Sequence, residues 1–244
     1  MAQYTRLSKP PLREAILDIQ LSGALPVSFI DTLKEQSIVG FEDVGPIRQG
    51  QFALQFGPTV EPTASVTANE LLGFRYTSSD KSRVVQLRRN GMTYSILQGY
   101  ADWSHFRDSA QEIWRQFSTW AVKLQVQRLA LRYINVIDVP MGEDIDGYLT
   151  SGPRIPPELP QIFSTFFHRI LIPFSSLGLN AIINQATEPK ATNLLSAILD
   201  IDVYGQYQLA GDDQEIWRRL DRIRDIENLI FFSYMTEKAL EPYR

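Results

Sequence analysis

Two aspartates separated by one residue, Asp200 and Asp202, are the best candidates for metal-dependent chemistry in this sequence. They lie in a β-rich run, where successive side chains point to opposite faces, so we expect both carboxylates on one face of a strand. Such a pair could share a hard divalent cation. The alternative is structural, because Leu199, Ile201 and Val203 would then face a core while the carboxylates face solvent. No third ligand stands at a spacing that identifies a metal site.

Glu14 and Asp18 are also separated by an even number of positions in an earlier strand-like run, so their side chains are expected on one face of that strand. Their carboxylates could join Asp200 and Asp202 only if the sheet brings the two strands together. Strand order is not readable from the sequence, so this stays an open possibility.

Four arginines are the candidate binding residues. Arg88 and Arg89 precede a hairpin signal, while Arg128 and Arg132 share one face of a mid-chain strand, with Tyr133 beside them. A guanidinium group offers forked donors and a flat face, so these residues could bind phosphate or stack a base. Acidic residues are in excess overall, and ion pairs across neighbouring strands are the ordinary alternative.

The common catalytic motifs are missing from the sequence. The zincin, P-loop, α/β-hydrolase and dinucleotide-binding patterns do not occur. With no cysteine, a disulfide, a thiolate metal site and a cysteine nucleophile are excluded. The two histidines, His105 and His168, stand far apart, and both are expected to have capping or packing roles. The sequence therefore predicts no cofactor and no metal site.

Charge and hydropathy restrict the partners. Twenty-four basic against twenty-eight acidic residues give a net charge of −4, which disfavours polyanions, so nucleic-acid binding stays open only through a local basic patch. The first residues lack a signal-peptide pattern, and no apolar run is long enough to cross a membrane. We expect a cytoplasmic protein with no membrane contact and with a protein partner. Homo-oligomer formation through a free sheet edge stays open.

Period-two patterns indicate strands, and apolar spacings of three and four indicate helices. The predicted strands are Leu12–Leu21, Ile47–Phe56, Leu71–Tyr76, Val84–Leu97 with a hairpin turn at Asn90-Gly91, Val126–Val139, Phe163–Phe174, Leu177–Ile183 and Leu194–Tyr204, with a turn at Thr187–Lys190. The predicted helices are Pro26–Glu35, Trp103–Leu124 and a last one capped by Asp212-Asp213.

The chain is predicted to contain two similar halves. The string Gln111-Glu112-Ile113-Trp114-Arg115-Gln116 returns as Gln214-Glu215-Ile216-Trp217-Arg218-Arg219, each time near the start of a long amphipathic stretch. We therefore predict an α+β fold with an N-terminal half, 1–124, and a C-terminal half, 125–244. Each half would hold antiparallel strands and a long closing helix on the sheet, and the halves would pack together as one globular unit.

Three stretches carry a resemblance to a known family. They are Lys9-Pro10-Pro11-Leu12-Arg13-Glu14-Ala15-Ile16, Arg128-Leu129-Ala130-Leu131-Arg132-Tyr133-Ile134-Asn135 and Phe231-Phe232-Ser233-Tyr234-Met235-Thr236. The chain resembles a sporadically distributed, functionally uncharacterised prokaryotic family of about this length. A patchy distribution implies mobile-element or defence cargo, such as one partner of a toxin–antitoxin pair. No catalytic residue comes with the resemblance.

Three functions follow from these observations. The first is a non-catalytic protein-interaction module, for which the candidate anchors are Phe166, Phe167, Tyr204 and Tyr207. The second is a metal-dependent hydrolase or nucleotide-processing enzyme that uses Asp200 and Asp202. The third is a nucleic-acid-binding regulator that uses the four arginines.

Overall fold

The first predicted strand exists with the predicted bounds. In a computed structural model, which describes residues 7–49, 52–54, 64–66, 70–121, 123–140, 142–161, 165–189, 194–212 and 214–244, strand β1 runs from Leu12 to Leu21. Its alternate residues Ala15, Leu17, Ile19 and Leu21 are buried. The period-two pattern thus marks a strand with one face on the core.

An antiparallel sheet forms the frame of the described part of the chain. The described strands that follow β1 are β2 (Asp43–Gln49), β3 (Phe52–Leu54), β4 (Ala64–Val66), β5 (Glu70–Thr77), β6 (Arg83–Arg88), β7 (Gly91–Ile96), β8 (Gln125–Pro140), β9 (Phe167–Phe174), β10 (Leu179–Pro189) and β11 (Leu194–Ala210). Together with β1, eight of these form a nine-stranded sheet in the order β2-β5-β6-β7-β1-β8-β11-β10-β9, while β3 and β4 pair with each other. This confirms the predicted α+β class, with every pairing antiparallel.

The helices pack on one face of the sheet. They are α1 (Phe29–Glu35), α2 (Trp103–Trp120), α3 (Glu215–Tyr234) and the short α4 (Glu237–Leu240). The hydroxyl of Tyr76 on β5 donates to the carbonyl of Leu33 on α1, and the ring of Tyr94 on β7 stacks on Phe106 of α2. Further along, the Val203 amide of β11 donates to Glu227 of α3. The opposite face carries Asp18, Arg128, Arg132, Asp200 and Asp202, and we call it the polar face.

The Asn90-Gly91 hairpin is confirmed, and its glycine is required by space as well as by backbone angle. Gly91 has φ +142°, and a Cβ placed there would lie 2.0 Å from the Ile19 carbonyl oxygen of β1. Only a residue without a side chain allows β1 to approach this turn so closely.

Several predicted bounds need correction. Helix α1 begins at Phe29 instead of Pro26, and α2 ends at Trp120, before Leu124. Strand β10 continues through Pro189, so Thr187 to Pro189 is strand and not turn, while Lys190 lies outside the described residues. Strand β11 extends to Ala210 because it keeps pairing with β8 beyond Tyr204. Parts of the predicted runs at 47–56 and 163–174, and the predicted cap Asp213, also lie outside the described residues.

The two predicted halves share one continuous sheet. Their first strands, β1 and β8, pair with each other at its centre. From β1 the order continues through β7, β6, β5 and β2, and from β8 through β11, β10 and β9, so each half pairs its first strand with its last. Trp114 ties α2 to the second half, since its Nε1 donates to the Gly211 carbonyl at 2.7 Å. An internal duplication stays a prediction.

None of the described helices combines the length and the hydropathy that crossing a bilayer requires.

Candidate binding site on the polar face

Strand alternation and register place the charged residues of four central strands beside one another. Asp18 of β1 lies opposite Ala130 of β8, and Arg132 of β8 lies opposite Asp202 of β11. Because these residues have the parity opposite to that of the buried core residues, their side chains lie on the polar face. The sheet thus joins Asp18 to the later aspartates, which was the open possibility.

Asp18 is the centre of the first group of contacts. Arg88 Nη2 donates to Asp18 Oδ1 at 2.9 Å and to Thr93 Oγ1 at 2.8 Å. The Thr93 hydroxyl donates to the same Asp18 oxygen at 2.7 Å, and Arg128 Nη1 donates to the other oxygen at 3.3 Å. One carboxylate therefore holds two guanidinium groups from different halves of the chain.

Arg128 connects this group to the second half. Its Nη2 lies 3.6 Å from Asp202 Oδ2, and its guanidinium carbon lies 4.6 Å from the centre of the Tyr204 ring. A guanidinium stacked on an aromatic face is held by cation–π attraction as well as by its ion pairs.

Arg132 and Asp200 form the tightest pair. Arg132 Nε donates to Asp200 Oδ1 and its Nη2 to Oδ2, both at 2.7 Å, which is the forked geometry that suits a carboxylate. Asn184 of β10 donates a third hydrogen bond to Asp200 Oδ2 at 2.9 Å. The ordinary alternative for the arginines, ion pairs across strands, is what the structure shows for this pair.

These groups border a cavity of about 650 Å³ on the polar face. Its lining includes Arg88, Arg89, Arg128, Arg132 and Asp202. The structure thus brings four predicted arginines and one predicted aspartate to a single site, which lies within the size range of ligand pockets.

Arg89 is held at the rim of this cavity. Its Nε donates to the Leu25 carbonyl at 2.6 Å, and its Nη1 lies 3.5 Å from Glu70 Oε1. Two other atoms at the site, Arg88 Nε and Asn184 Oδ1, are buried without a hydrogen-bond partner among the described residues. Unpartnered buried polar atoms call for an explanation such as a bound water or ligand.

The ionisable groups of the site differ in how completely hydrogen bonds and opposite charges offset the cost of their burial. Burial raises the pKa of the Asp202 carboxyl, and the positive charges of Arg128 and Arg132 oppose that rise. Hydrogen bonding to Asp200 raises the pKa of the Arg132 guanidinium. The Arg132–Asp200 pair is therefore satisfied internally, whereas Asp202 is a partly buried carboxyl with a weaker partner.

Tyr133 does not share the site with the arginines. It lies opposite Ala15 and Ile201, so its side chain is on the helix face, next to Tyr100, whose hydroxyl oxygen is 3.3 Å from its own. Burial raises the pKa of the Tyr133 hydroxyl well above its ordinary value. Adjacent strand residues point to opposite faces, so a stack of Tyr133 on a base held by Arg132 is excluded.

Asp200 and Asp202 lie on one face of β11 as expected, but the carboxylate oxygens of Asp200 already accept hydrogen bonds. Asp200 accepts three hydrogen bonds from Arg132 and Asn184. Among the residues that the structure describes, there is no group of three or more His, Asp or Glu side chains arranged to hold a metal ion. A cation at Asp200 would have to displace these donors.

The histidines lie outside this cluster. His105 is exposed in the first turn of α2, where its amide donates to the capping carboxylate of Asp102 at 2.9 Å. His168 Nδ1 lies 3.4 Å from Gln185 Oε1. The His105 contact uses its backbone amide and not its imidazole, so the capping or packing role of each histidine side chain stays a prediction.

The aromatic candidates are divided between the two faces. Phe167 is 69% exposed on the polar side of β9, and Tyr204 stacks with Arg128. Phe166 packs against the core, and Tyr207 lies under the guanidinium of Arg219.

Sequence reasoning missed Thr93 and Asn184 and undervalued Asp18. The alternation of β1 put Asp18 on a polar face, which is the one available signal. Its partners Arg88 and Thr93 are 70 and 75 residues away, so only the register of the sheet reveals the cluster.

Comparison with family models, with curated proteins and with solved structures gives no match to this chain.

Proposed function

We propose that this protein is a non-catalytic protein-interaction module that binds an extended segment of a partner along β9 and across the polar face. The observation that carries the proposal is the edge strand β9. It pairs with β10 at the end of the sheet, and Phe167 and Leu171 on its polar side are 69% and 58% exposed. No other described strand pairs with the outer edge of β9. Large apolar side chains on such an edge are a liability that a binding partner removes.

The edge offers main-chain hydrogen bonds, and the side chains offer specificity. An added strand can pair with the outer backbone groups of β9, as in peptide recognition by β-strand addition. Pro173, near the end of β9, has no amide hydrogen, so the pairing segment lies mainly between Phe167 and Ile172. Phe167 and Leu171 would then contact alternate side chains of the partner.

The neighbouring charge cluster suits a partner with charges of both signs. Three arginines, Arg88, Arg128 and Arg132, face the three aspartates Asp18, Asp200 and Asp202, so the cluster is formally neutral. Arg132 is the most accessible of the arginines, with 43% of its side chain exposed. Charged groups that are already paired can exchange partners with an incoming segment, which favours specificity over raw affinity.

The ion pairs of the polar face give less support to the two alternative functions, a metal-dependent enzyme and a nucleic-acid-binding regulator. Metal-dependent chemistry by Asp200 and Asp202 would first have to break the two-point bond to Arg132. A nucleic-acid-binding role would need free cations, whereas these arginines are paired and the net charge is −4. The resemblance to a patchily distributed prokaryotic family adds the proposal that the partner belongs to a mobile defence or toxin–antitoxin type system.

Site-specific photo-crosslinking in the native cell tests the proposed surface. Phe167 and Leu171 are replaced one at a time by p-benzoylphenylalanine, and crosslinked proteins are identified by mass spectrometry. The control positions are Val39 and Leu159, which are 91% and 54% exposed and lie outside the edge strand. We expect one protein to crosslink from both edge positions and from neither control.

A second pair of variants separates the edge strand from unspecific contact. Leu171→Asp places a charge on the proposed apolar contact and should abolish crosslinking from position 167, while Leu159→Asp should not change it. Equal crosslinking from the control positions, or no crosslinked protein from either edge position, would overturn the proposal. If the purified protein instead carries nucleic acid that is lost at higher salt, a role as a nucleic-acid-binding regulator would be favoured.

A further inference from the structure

A second cavity, of about 380 Å³, lies on the helix side of the sheet, away from the polar face. Its walls come from the N-terminal segment up to the first residue of β1, from the segment before α2 and the start of that helix, from β8 and from α3. The aromatic rings that line it, which we call the aromatic cavity, are Tyr100, Trp103, Tyr133, Phe231 and Phe232. Both predicted halves contribute, and the volume falls in the range of small-molecule pockets.

The rings are fixed in place by their neighbours. Trp103 Nε1 donates to Asp221 of α3 at 2.7 Å, which joins the start of α2 to α3 beside the cavity. The Tyr100 and Tyr133 ring centres are 5.9 Å apart, with the planes at 67°. A preformed wall of edge and face contacts favours a flat aromatic ligand, since such rings gain by stacking as well as by burial.

Arg224 provides the cationic group of the aromatic cavity. It lines the cavity, and 34% of its side chain is exposed. The ion pair it makes, from Nη1 to Asp225 Oδ1, is long at 3.5 Å and partly exposed. A guanidinium whose ion pair is this long can bind an anionic oxygen through its terminal nitrogens by a charge-assisted hydrogen bond.

Acidic groups also lie near Arg224. Asp102 lines the cavity and carries a negative charge, and its Oδ1 accepts the His105 amide as the cap of α2. Glu227 lies behind Tyr133 in the helix–sheet interface, and its burial raises the pKa of its carboxyl well above the ordinary value, which favours the neutral form. Two amide side chains in the lining, Asn135 and Asn228, add neutral hydrogen-bonding groups.

We infer that the aromatic cavity binds a small, flat aromatic molecule with one anionic group, its ring between the aromatic walls and its anion on Arg224. This inference is independent of the proposed function, because it uses neither β9 nor the polar face. The chemical class follows from the walls and the charge together. A neutral aromatic of the same shape would use the walls alone and bind more weakly.

Calorimetric titration with two matched probes tests the inference. The probes are 1-naphthoate and 1-naphthamide, which share the ring and differ in the charge of the attached group. We expect 1-naphthoate to bind one site and to bind about 10-fold more tightly than the amide, the ratio that one charge-assisted hydrogen bond gives.

Two variants with matched controls assign the site. Arg224→Gln should weaken 1-naphthoate about 10-fold and leave the amide unchanged. Arg222→Gln removes an exposed charge from the same helix, outside the cavity lining, and should change neither. Asn228→Phe should fill the cavity and abolish binding of both probes, whereas Leu229→Phe on the adjacent, 41% exposed position should not.

The outcomes are separable. Equal affinity for the two probes, or no effect of Arg224→Gln, would overturn the anionic part of the inference. No saturable binding of either probe, or full binding by Asn228→Phe, would overturn the site itself. Circular dichroism of each variant shows whether it folds, and the Leu229→Phe control separates cavity filling from general damage to α3.

Discussion

Arg132 and Asp200 are joined by two hydrogen bonds of 2.7 Å across neighbouring strands, although 68 residues separate them in the chain. The partners are unequal in exposure, since 43% of the Arg132 side chain is exposed against 10% of the Asp200 side chain. The pair therefore screens a nearly buried carboxylate that would otherwise be unpaired. It also holds in place the residue that we propose meets the partner.

The variant Arg132→Ala should destabilise the protein by about 1–2 kcal/mol, because Asp200 keeps only the Asn184 amide as a partner. The loss stays below that of a fully buried pair because Arg132 is partly exposed.

The matched control is Arg13→Ala. Arg13 also makes a two-point contact, with Glu188, but both side chains are about half exposed. Its loss should be at most about 0.5 kcal/mol. Urea denaturation of both variants checks this, and equal losses would show that the burial of Asp200 does not matter.

Glu227 should make the protein less stable as pH rises. Its carboxyl is fully buried, accepts the Val203 amide at 3.3 Å, and has an Oε2 without a partner among the described residues. Burial raises its pKa in the folded state above the unfolded value. Between those two values the folded state holds more protons, so stability falls as pH rises, by up to about 1.4 kcal/mol per pH unit.

Glu227→Gln should remove this dependence. The amide oxygen can still accept from Val203, and the side chain no longer ionises. The variant should therefore gain stability over the natural protein progressively as pH is raised above about 4.5. Denaturation curves from pH 5 to pH 8 measure the difference, with the exposed Glu158→Gln as control. A difference that does not change with pH would mean that Glu227 is not buried as a neutral acid.

Local sequence patterns predicted where strands and turns occur better than they predicted which strands pair with each other. The alternation of Leu12–Leu21 and the Asn90-Gly91 turn fixed β1 and the hairpin, since both signals are contained in a few residues. The predicted strand ends at Tyr204, whereas β11 runs on to Ala210. The strand continues there because Gly205 keeps pairing with Leu129 and Leu179.

At the candidate site, too, local patterns predicted the face on which a side chain lies but not its partner on another strand. Alternation placed Asp200 and Asp202 on one face, and it would also have separated Tyr133 from Arg132 had it been applied to that pair. The link from Asp18 to Arg88 depends on β7 lying between β6 and β1, which no local pattern contains.

Gly91→Ala should be strongly destabilising. The new Cβ would lie 2.0 Å from the Ile19 carbonyl oxygen, and the φ of +142° is one that alanine rarely adopts. Strain and displacement of β1 together should cost about 3 kcal/mol or more.

Gly23→Ala is the control, because a Cβ there meets no atom within 4 Å. Its effect should lie within about 0.5 kcal/mol of zero. For a chain of this size the difference between the two corresponds to roughly 5–10 °C in Tm. A Gly91 variant as stable as the control would show that β1 does not approach the hairpin so closely.

Divalent cations should leave the thermal stability unchanged. A cation held by Asp200 and Asp202 would have to replace the hydrogen bonds from Arg132 and Asn184, and it would bring a positive charge next to the guanidinium groups of Arg128 and Arg132. A ligand at about 100 times its Kd stabilises a folded protein by about 2.7 kcal/mol, which is several degrees in Tm. We therefore expect shifts below about 1 °C on adding millimolar Mg²⁺ or Mn²⁺ after treatment with a chelator. A saturable rise in Tm that Asp202→Asn abolishes would instead favour the metal-dependent enzyme, because Asp202 is the aspartate whose pKa burial raises and whose nearest cation, Arg128, is 3.6 Å away.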